Sequence, residues 1–248
     1  MLQAYKALKI FTGKEWLFNH AVLVKDNLIQ EIVSADNIPV GASIIDYGDN
    51  LLAPCFIDIQ IYGANGSLLS VDPTVASLQK TFDYCKAGGA HYFQPTVATN
   101  SYDVFYKCID AVRDYWEAGG GGVIGLHIEG PWINKAKKGA HIEEFIHAPT
   151  IDQAKSLLEY GKSVITMITL APEICSHEVI ELIKSYNIIV SAGHSNATFA
   201  QATEAFNNGI TAATHLYNAM SPLQHRAPGM VGAIMQHSKV HCSLVADG

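Results

Sequence analysis

Hydrophobic and polar positions follow two rhythms along this chain, and the change falls near residue 53. Ahead of it, short apolar runs at 7–11, 21–25 and 28–33 have strand length, and Asp26-Asn27 supplies a two-residue turn between the last two. Residues 1–52 thus read as a small all-β portion in which no catalytic residue types cluster. Beyond it, runs of strand length near 56–60, 91–96, 123–129, 164–170, 188–193, 211–215 and 242–246 alternate with helical spacing near 72–87, 101–117, 150–161, 177–186, 198–208 and 229–237. That alternation over residues 53–248 is the mark of a parallel α/β sheet with crossover helices. Asp72-Pro73, Ser101 and Thr198 suit helix entries, and Gly88 and Gly209 suit exits.

The strands add up to seven of the eight in a (β/α)8 TIM-type barrel. Because the chain stops at Ala246-Asp247-Gly248, on the last of them, the eighth is expected to be missing and the two flanking strands to expose unpaired edges. Such a chain is expected to associate across the gap, as a homo-oligomer or with another chain, or to be less stable than a longer form.

One run carries candidate chemistry. The residues at 123–132, Val-Ile-Gly-Leu-His-Ile-Glu-Gly-Pro-Trp, end an apolar course in a carboxylate and a Gly-Pro break. Side chains alternate along a strand, so His127 and Glu129 share a face, and in a parallel barrel the inward residues at the carboxyl ends face the active site. Two later runs, Ile-Ile-Val-Ser-Ala-Gly-His at 188–194 and Ile-Thr-Ala-Ala-Thr-His at 210–215, stop on a histidine in the same way. Glu129, His194 and His215 together form a donor set for one divalent ion, with a position left for water. Zn²⁺ suits it best, while Fe²⁺, Mn²⁺ and Co²⁺ accept the same donors. A lone buried His or Glu is more often a satisfied core group, and it is the repetition at three strand ends that favours a metal. His127, one layer deeper than Glu129, reads as a group that hydrogen-bonds behind the ligands or fills the core.

Composition narrows the partners. About half of the 248 residues are apolar, and a formal net charge of −7 with no Lys/Arg run argues against nucleic acid and for a small molecule. No stretch approaches the roughly 18 uncharged apolar residues of a membrane span, and the first twenty residues hold no apolar core of a leader, so a cytoplasmic protein is expected. Five cysteines, odd in number and lacking a Cys-x-x-Cys pair, suit buried thiols in a reducing compartment.

Five motifs then come into view together: Gly-Leu-His-Ile-Glu-Gly-Pro at 125–131, Lys-Gly-Ala-His at 138–141, Gly-His-Ser-Asn-Ala-Thr at 193–198, Thr-His-Leu-Tyr-Asn-Ala-Met at 214–220, and Arg226 ahead of Pro228-Gly229. In content, order and spacing the chain resembles the N-acetylglucosamine-6-phosphate deacetylases of the amidohydrolase superfamily, from about residue 5 to its last residue. The resemblance implies a metal-dependent hydrolase barrel preceded by part of a small β-sandwich. It implies removal of the acetyl group from an amino-sugar phosphate, with Ala140, His141, Asn218, Ala219 and Arg226 binding substrate. Arg226 and the N–H groups opening the helix after it suit the phosphate. The resemblance also puts the family's general base, an aspartate, beyond Gly248, so no catalytic acid or base is expected within the chain and this length alone is expected to be inactive.

The first barrel strand departs from the wider superfamily. Many amidohydrolases carry His-x-His there and hold a second metal, whereas this chain has Gln60 and Tyr62, both poor ligands, in Phe-Ile-Asp-Ile-Gln-Ile-Tyr-Gly at 56–63. One metal is therefore expected, with Gln60 behind its ligands. Cys55 replaces a glycine usual in this motif and is expected to be a small buried residue. Two other readings stay open: an amidohydrolase acting on a cyclic amide or an N-acyl amino acid, and a non-catalytic fragment that binds metal or sugar phosphate.

Overall fold

The computed structural model describes residues 1–245, so the expected strand end at 246 and the Asp247-Gly248 pair lie outside the described residues. The chain divides into two compact units between Phe56 and Ile57, where the sequence reading puts the boundary after residue 52.

The first unit is built from β1 (Leu2–Lys6), β2 (Lys9–Phe11), β3 (Trp16–Phe18), β4 (His20–Lys25), β5 (Leu28–Ser34), β6 (Ser43–Asp46) and β7 (Leu51–Leu52). These form a four-stranded sheet in the order β5-β4-β1-β6 and a three-stranded sheet in the order β3-β2-β7. The expected hairpin is present: Asp26 and Asn27 have φ of 52° and 62°, the left-handed pair that a tight two-residue turn between twisted strands requires. Strand β1 lies outside the run expected at 7–11. It pairs with β4 so that Ala4 and Leu23 oppose each other in a small buried cluster with Ala21.

In the second unit, β8 (Phe56–Ile61) is followed by the short hairpin β9 (Gly63–Ala64) and β10 (Ser67–Leu68), then α1 (Val75–Ala87), β11 (Ala90–Ala98), α2 (Tyr102–Glu117) and β12 (Leu126–Glu129). The alternation continues through α3 (Ile151–Tyr160), β13 (Ile165–Leu170), α4 (His177–Ser185), β14 (Ile189–Ala192), α5 (Phe199–Asn207), β15 (Ala212–Ala213), α6 (Gly229–Gln236) and β16 (His241–Cys242). Seven of these strands form one sheet in the order β16-β15-β14-β13-β12-β11-β8, and the pairs from β11 to β16 are parallel. Each α/β step thus adds the next strand beside the last, as in a (β/α)8 barrel.

Helix α2 shows how local pattern sets an element. Phe105, Cys108, Ile109 and Val112 are buried at a spacing of three and four, and the Ser101 side chain accepts the Val104 N–H at its start. Thr198 and Gln201 form a reciprocal capping box at α5, while α1 begins at Thr74, two residues after the expected Asp72. On β12, Leu126 and Ile128 pack into the main core, which turns His127 and Glu129 to the opposite face.

Three expectations are corrected. The strand expected over 123–129 starts only at Leu126, because Gly125 holds φ of 125°, and a Cβ there would sit 2.2 Å from Thr166 Oγ1; Val123 makes an isolated bridge to Phe93. Strand β15 ends at Ala213, since His215 has φ of 39° and the chain turns away there. Cys55 is exposed in the irregular stretch before β8, and Cys242 is exposed on the edge strand; of the five thiols only Cys85 and Cys108 are buried.

Candidate metal centre

Glu129 is wholly buried at the end of β12, and His141, His194 and His215 close around it. Its Oε1 lies 3.2 Å from His194 Nε2 and 3.3 Å from His215 Nε2, and those two nitrogens are 3.0 Å apart. Its Oε2 faces His141 Nε2 at 3.6 Å. Burial by itself would raise the Glu129 pKa, but hydrogen bonding to the carboxylate, from His141 first, outweighs it and holds the group well below the usual carboxylate range.

Hydrogen bonds behind the rings decide which nitrogens can bind a cation. His194 Nδ1 is 2.9 Å from the Lys137 carbonyl, and His215 Nδ1 is 3.0 Å from the Asn218 carbonyl. A carbonyl only accepts, so each Nδ1 carries a hydrogen and Nε2 is the nitrogen that can offer a lone pair. Two imidazole nitrogens and a carboxylate oxygen therefore meet at 3.0–3.3 Å. Donors around a tetrahedral divalent ion lie about 3.3–3.6 Å from one another, so both the spacing and the chemistry of this set fit a metal.

His141 differs. Its Nδ1 lies 2.7 Å from the Thr99 hydroxyl and accepts the Thr99 N–H at 3.2 Å; a nitrogen that accepts that N–H carries no hydrogen, which puts the hydrogen on Nε2, the atom aimed at Glu129. By distance alone Glu129, His141 and His194 also form a metal-sized cluster, with ligand atoms within 4.8 Å of one another. The tautomer separates them: His194 and His215 offer lone pairs, and His141 offers an N–H.

Backbone geometry at the strand ends is strained in a way that aims these rings. His194 and His215 adopt φ of 47° and 39°, and Ala219 on the same loop adopts 47°, a region costly for residues other than glycine. The strain is held by surrounding bonds, with Asn134 N–H donating to the His194 carbonyl at 2.9 Å and Ser195 N–H to the Ala219 carbonyl at 3.1 Å.

Gln60 and Tyr62 both reach Glu129. Gln60 Nε2 donates to Oε1 at 3.0 Å, and the Tyr62 hydroxyl donates to Oε2. Burial, then the neighbouring Glu129 charge, raises the Tyr62 pKa, so the phenol stays a neutral donor. His127 touches none of the converging rings. It lies between Thr96 and Thr169, 3.2 and 2.7 Å away, at the head of a buried hydroxyl chain that continues to Thr214 and Ser191. Burial pushes its pKa down to about 4 against the pull of Glu129, so it is a neutral core group at neutral pH.

Ala140 is exposed beside His141, and Asn218 reaches the centre through its carbonyl while its side chain faces outward. Arg226 is exposed ahead of α6 and has no ion-pair partner among the described residues. The expected free N–H groups at the start of α6 are corrected: Met230 N–H donates to Ser221 Oγ at 2.7 Å and Val231 N–H to the Ser221 carbonyl at 3.4 Å. With those donors occupied, the guanidinium stands without them.

Comparison with known proteins gives concordant likenesses. The NagA composite domain family matches residues 7–51. An N-acetylglucosamine-6-phosphate deacetylase of Haemophilus influenzae is 34% identical over 240 residues, covering 96% of this chain and 62% of the relative. An N-acetylgalactosamine-6-phosphate deacetylase of Escherichia coli O157:H7 is 30% identical, covering 100% of this chain and 65% of the relative. Among solved structures, an N-acetylglucosamine-6-phosphate deacetylase from Pasteurella multocida superposes with a TM-score of 0.93 at 34% identity, covering 100% of this chain and 65% of that one. The chain thus spans a little under two thirds of the length of these relatives.

Proposed function

We propose that, over the residues it spans, the chain belongs to the N-acetylglucosamine-6-phosphate deacetylase family and contributes a one-metal centre to the hydrolysis of N-acetylglucosamine 6-phosphate to glucosamine 6-phosphate and acetate. The observation that carries the metal is the meeting of two Nε2 lone pairs with the Glu129 carboxylate at three strand ends. Glu129, His194 and His215 hold the ion, with Zn²⁺ the best match and Fe²⁺, Mn²⁺ or Co²⁺ acceptable to the same donors. A bound divalent ion in such a site lowers the pKa of water and polarises a carbonyl. His141 presents its Nε2–H to the substrate's acetamide end, Ala140 lines the same loop, and Gln60 and Tyr62 fix both oxygens of Glu129 by neutral hydrogen bonds.

Arg226, Asn218 and Ala219 take the phosphate end in this reading, supported by the lack of an internal partner for the Arg226 charge among the described residues. The first unit belongs, in the same proposal, to a small β-sandwich domain, supported by its two sheets and by the family match at 7–51. No helix among the described residues is long and apolar enough to cross a membrane; a cytoplasmic location is included in the proposal.

Acetate release by an extended, active form from N-acetylglucosamine 6-phosphate, N-acetylgalactosamine 6-phosphate and the unphosphorylated sugars tests the substrate. N-acetylglucosamine 6-phosphate is expected to be used best; preference for N-acetylgalactosamine 6-phosphate would move the protein toward the second group of relatives. In an extended form of the protein that turns over the sugar phosphate, Arg226→Ala is expected to lower kcat/KM for the phosphorylated sugar by roughly 10–100-fold, the size of one lost charge-assisted hydrogen bond, with little change for the plain sugar. Equal losses for both would remove Arg226 from this role.

A further inference from the structure

We infer that Glu173 is a positioning residue for the metal centre, acting through hydrogen bonds that tie the His194 turn to the loop bearing His141; the inference rests on the metal-binding reading above. Glu173 lies on the turn Pro172–Ile174 just past β13, a strand that contributes no ligand of its own. Its Oε1 accepts the Asn196 N–H at 2.6 Å and Asn134 Nδ2 at 2.9 Å, and its Oε2 accepts the Ser195 hydroxyl at 2.7 Å. The carboxylate has no cation partner among the described residues, and these neutral donors take up both of its oxygens.

All of these donors belong to segments that shape the centre. Ser195 and Asn196 directly follow His194, whose left-handed φ of 47° must be held from outside. Asn134 opens the loop that supplies the Lys137 carbonyl to His194 Nδ1 and carries His141, and its own N–H donates to the His194 carbonyl. Ser195 is fully buried and extends the connection to the third loop, because its carbonyl accepts the Ser221 N–H at 3.0 Å and its N–H donates to Ala219, beside Asn218 and His215. One carboxylate therefore pins the geometry in which the Nε2 lone pairs of His194 and His215 meet Glu129. Groups that orient metal ligands from behind typically change affinity by about 10–100-fold when lost.

The test compares Zn²⁺ affinity, by competition with a chelating dye, and the visible spectrum of the Co²⁺ form, in the wild-type chain, Glu173→Gln and Glu173→Ala, at a temperature well below each melting point. Glutamine keeps an acceptor for Asn196 and Asn134 and can face Ser195 with its amide, whose hydroxyl also accepts. Glu173→Gln is therefore expected to stay within about threefold of wild type with the same Co²⁺ spectrum, and Glu173→Ala to bind about 10–100-fold more weakly with a shifted spectrum. Alanine within threefold of wild type, or a loss in glutamine equal to that in alanine, overturns the inference. Should the alanine variant not fold, Ser195→Ala removes one of the three bonds and is expected to weaken Zn²⁺ measurably; unchanged affinity and spectrum there count against the inference. If the wild-type chain itself takes up no metal, the metal-binding reading fails, and that outcome is distinct from an unaltered alanine variant in a metal-binding wild type.

Discussion

His194→Ala is expected to abolish stoichiometric metal uptake. The ring supplies one of two lone-pair nitrogens at the centre and contacts both Glu129 and His215, so its removal leaves at most two protein donors for an ion that prefers three or four. Loss of a group behind a ligand already costs about 10–100-fold in affinity, so loss of a ligand should exceed a hundredfold. The effect extends to stability, because an ion that binds only the folded chain at 1,000 times its Kd adds about 4.1 kcal/mol. For a domain of 150–250 residues each kcal/mol moves Tm by roughly 2–4 °C, so chelation should lower the wild-type Tm by about 8–16 °C. The variant should melt at the same temperature with or without chelator. Metal content measured after dialysis, beside paired melts, checks both; full metal in His194→Ala would mean that the ligands lie elsewhere.

His141→Ala is expected to separate from His194→Ala in kind. Its Nδ1 accepts the Thr99 N–H, so the ring contributes a hydrogen-bond donor and no lone pair. The variant should therefore keep one metal per chain, while in an extended form that turns over substrate kcat/KM on the acetylated sugar phosphate falls by about 10²–10³, the usual effect of removing one preorganised donor from a site where charge develops. Metal analysis and turnover on the same preparation make the comparison. Metal loss matching that of His194→Ala would place His141 among the ligands and reverse the tautomer argument.

The strand ends that carry Glu129, His194 and His215 were legible because each is a short apolar run that stops on a polar residue, and alternation then fixes which side chains share its face. Helix faces were legible for the same local reason, as Phe105, Cys108, Ile109 and Val112 illustrate. What pattern alone hides is the return path of loops. Nothing in the local sequence brings Thr99 and His141, forty-two positions apart, into contact, or sends Glu173 onto Asn134 and Ser195. Gln60 and Tyr62 were legible as poor metal ligands; that both donate to Glu129 required the curvature that brings β8 across to β12. Gly125 shows a backbone limit, since an apolar run read as one strand is broken by a residue whose φ leaves the extended region.

The central claim is a single ion held by Glu129, His194 and His215, with His141 outside the ligand set. An anomalous difference map from a crystal of the metal-loaded protein, collected at the absorption edge of the bound element, tests it most directly. The expected map has one strong peak per chain, about 2.0–2.2 Å from Glu129 Oε1 and from the Nε2 atoms of His194 and His215. A peak ligated by His141 Nε2, a second peak beside Gln60 and Tyr62, or no peak among these side chains would contradict it.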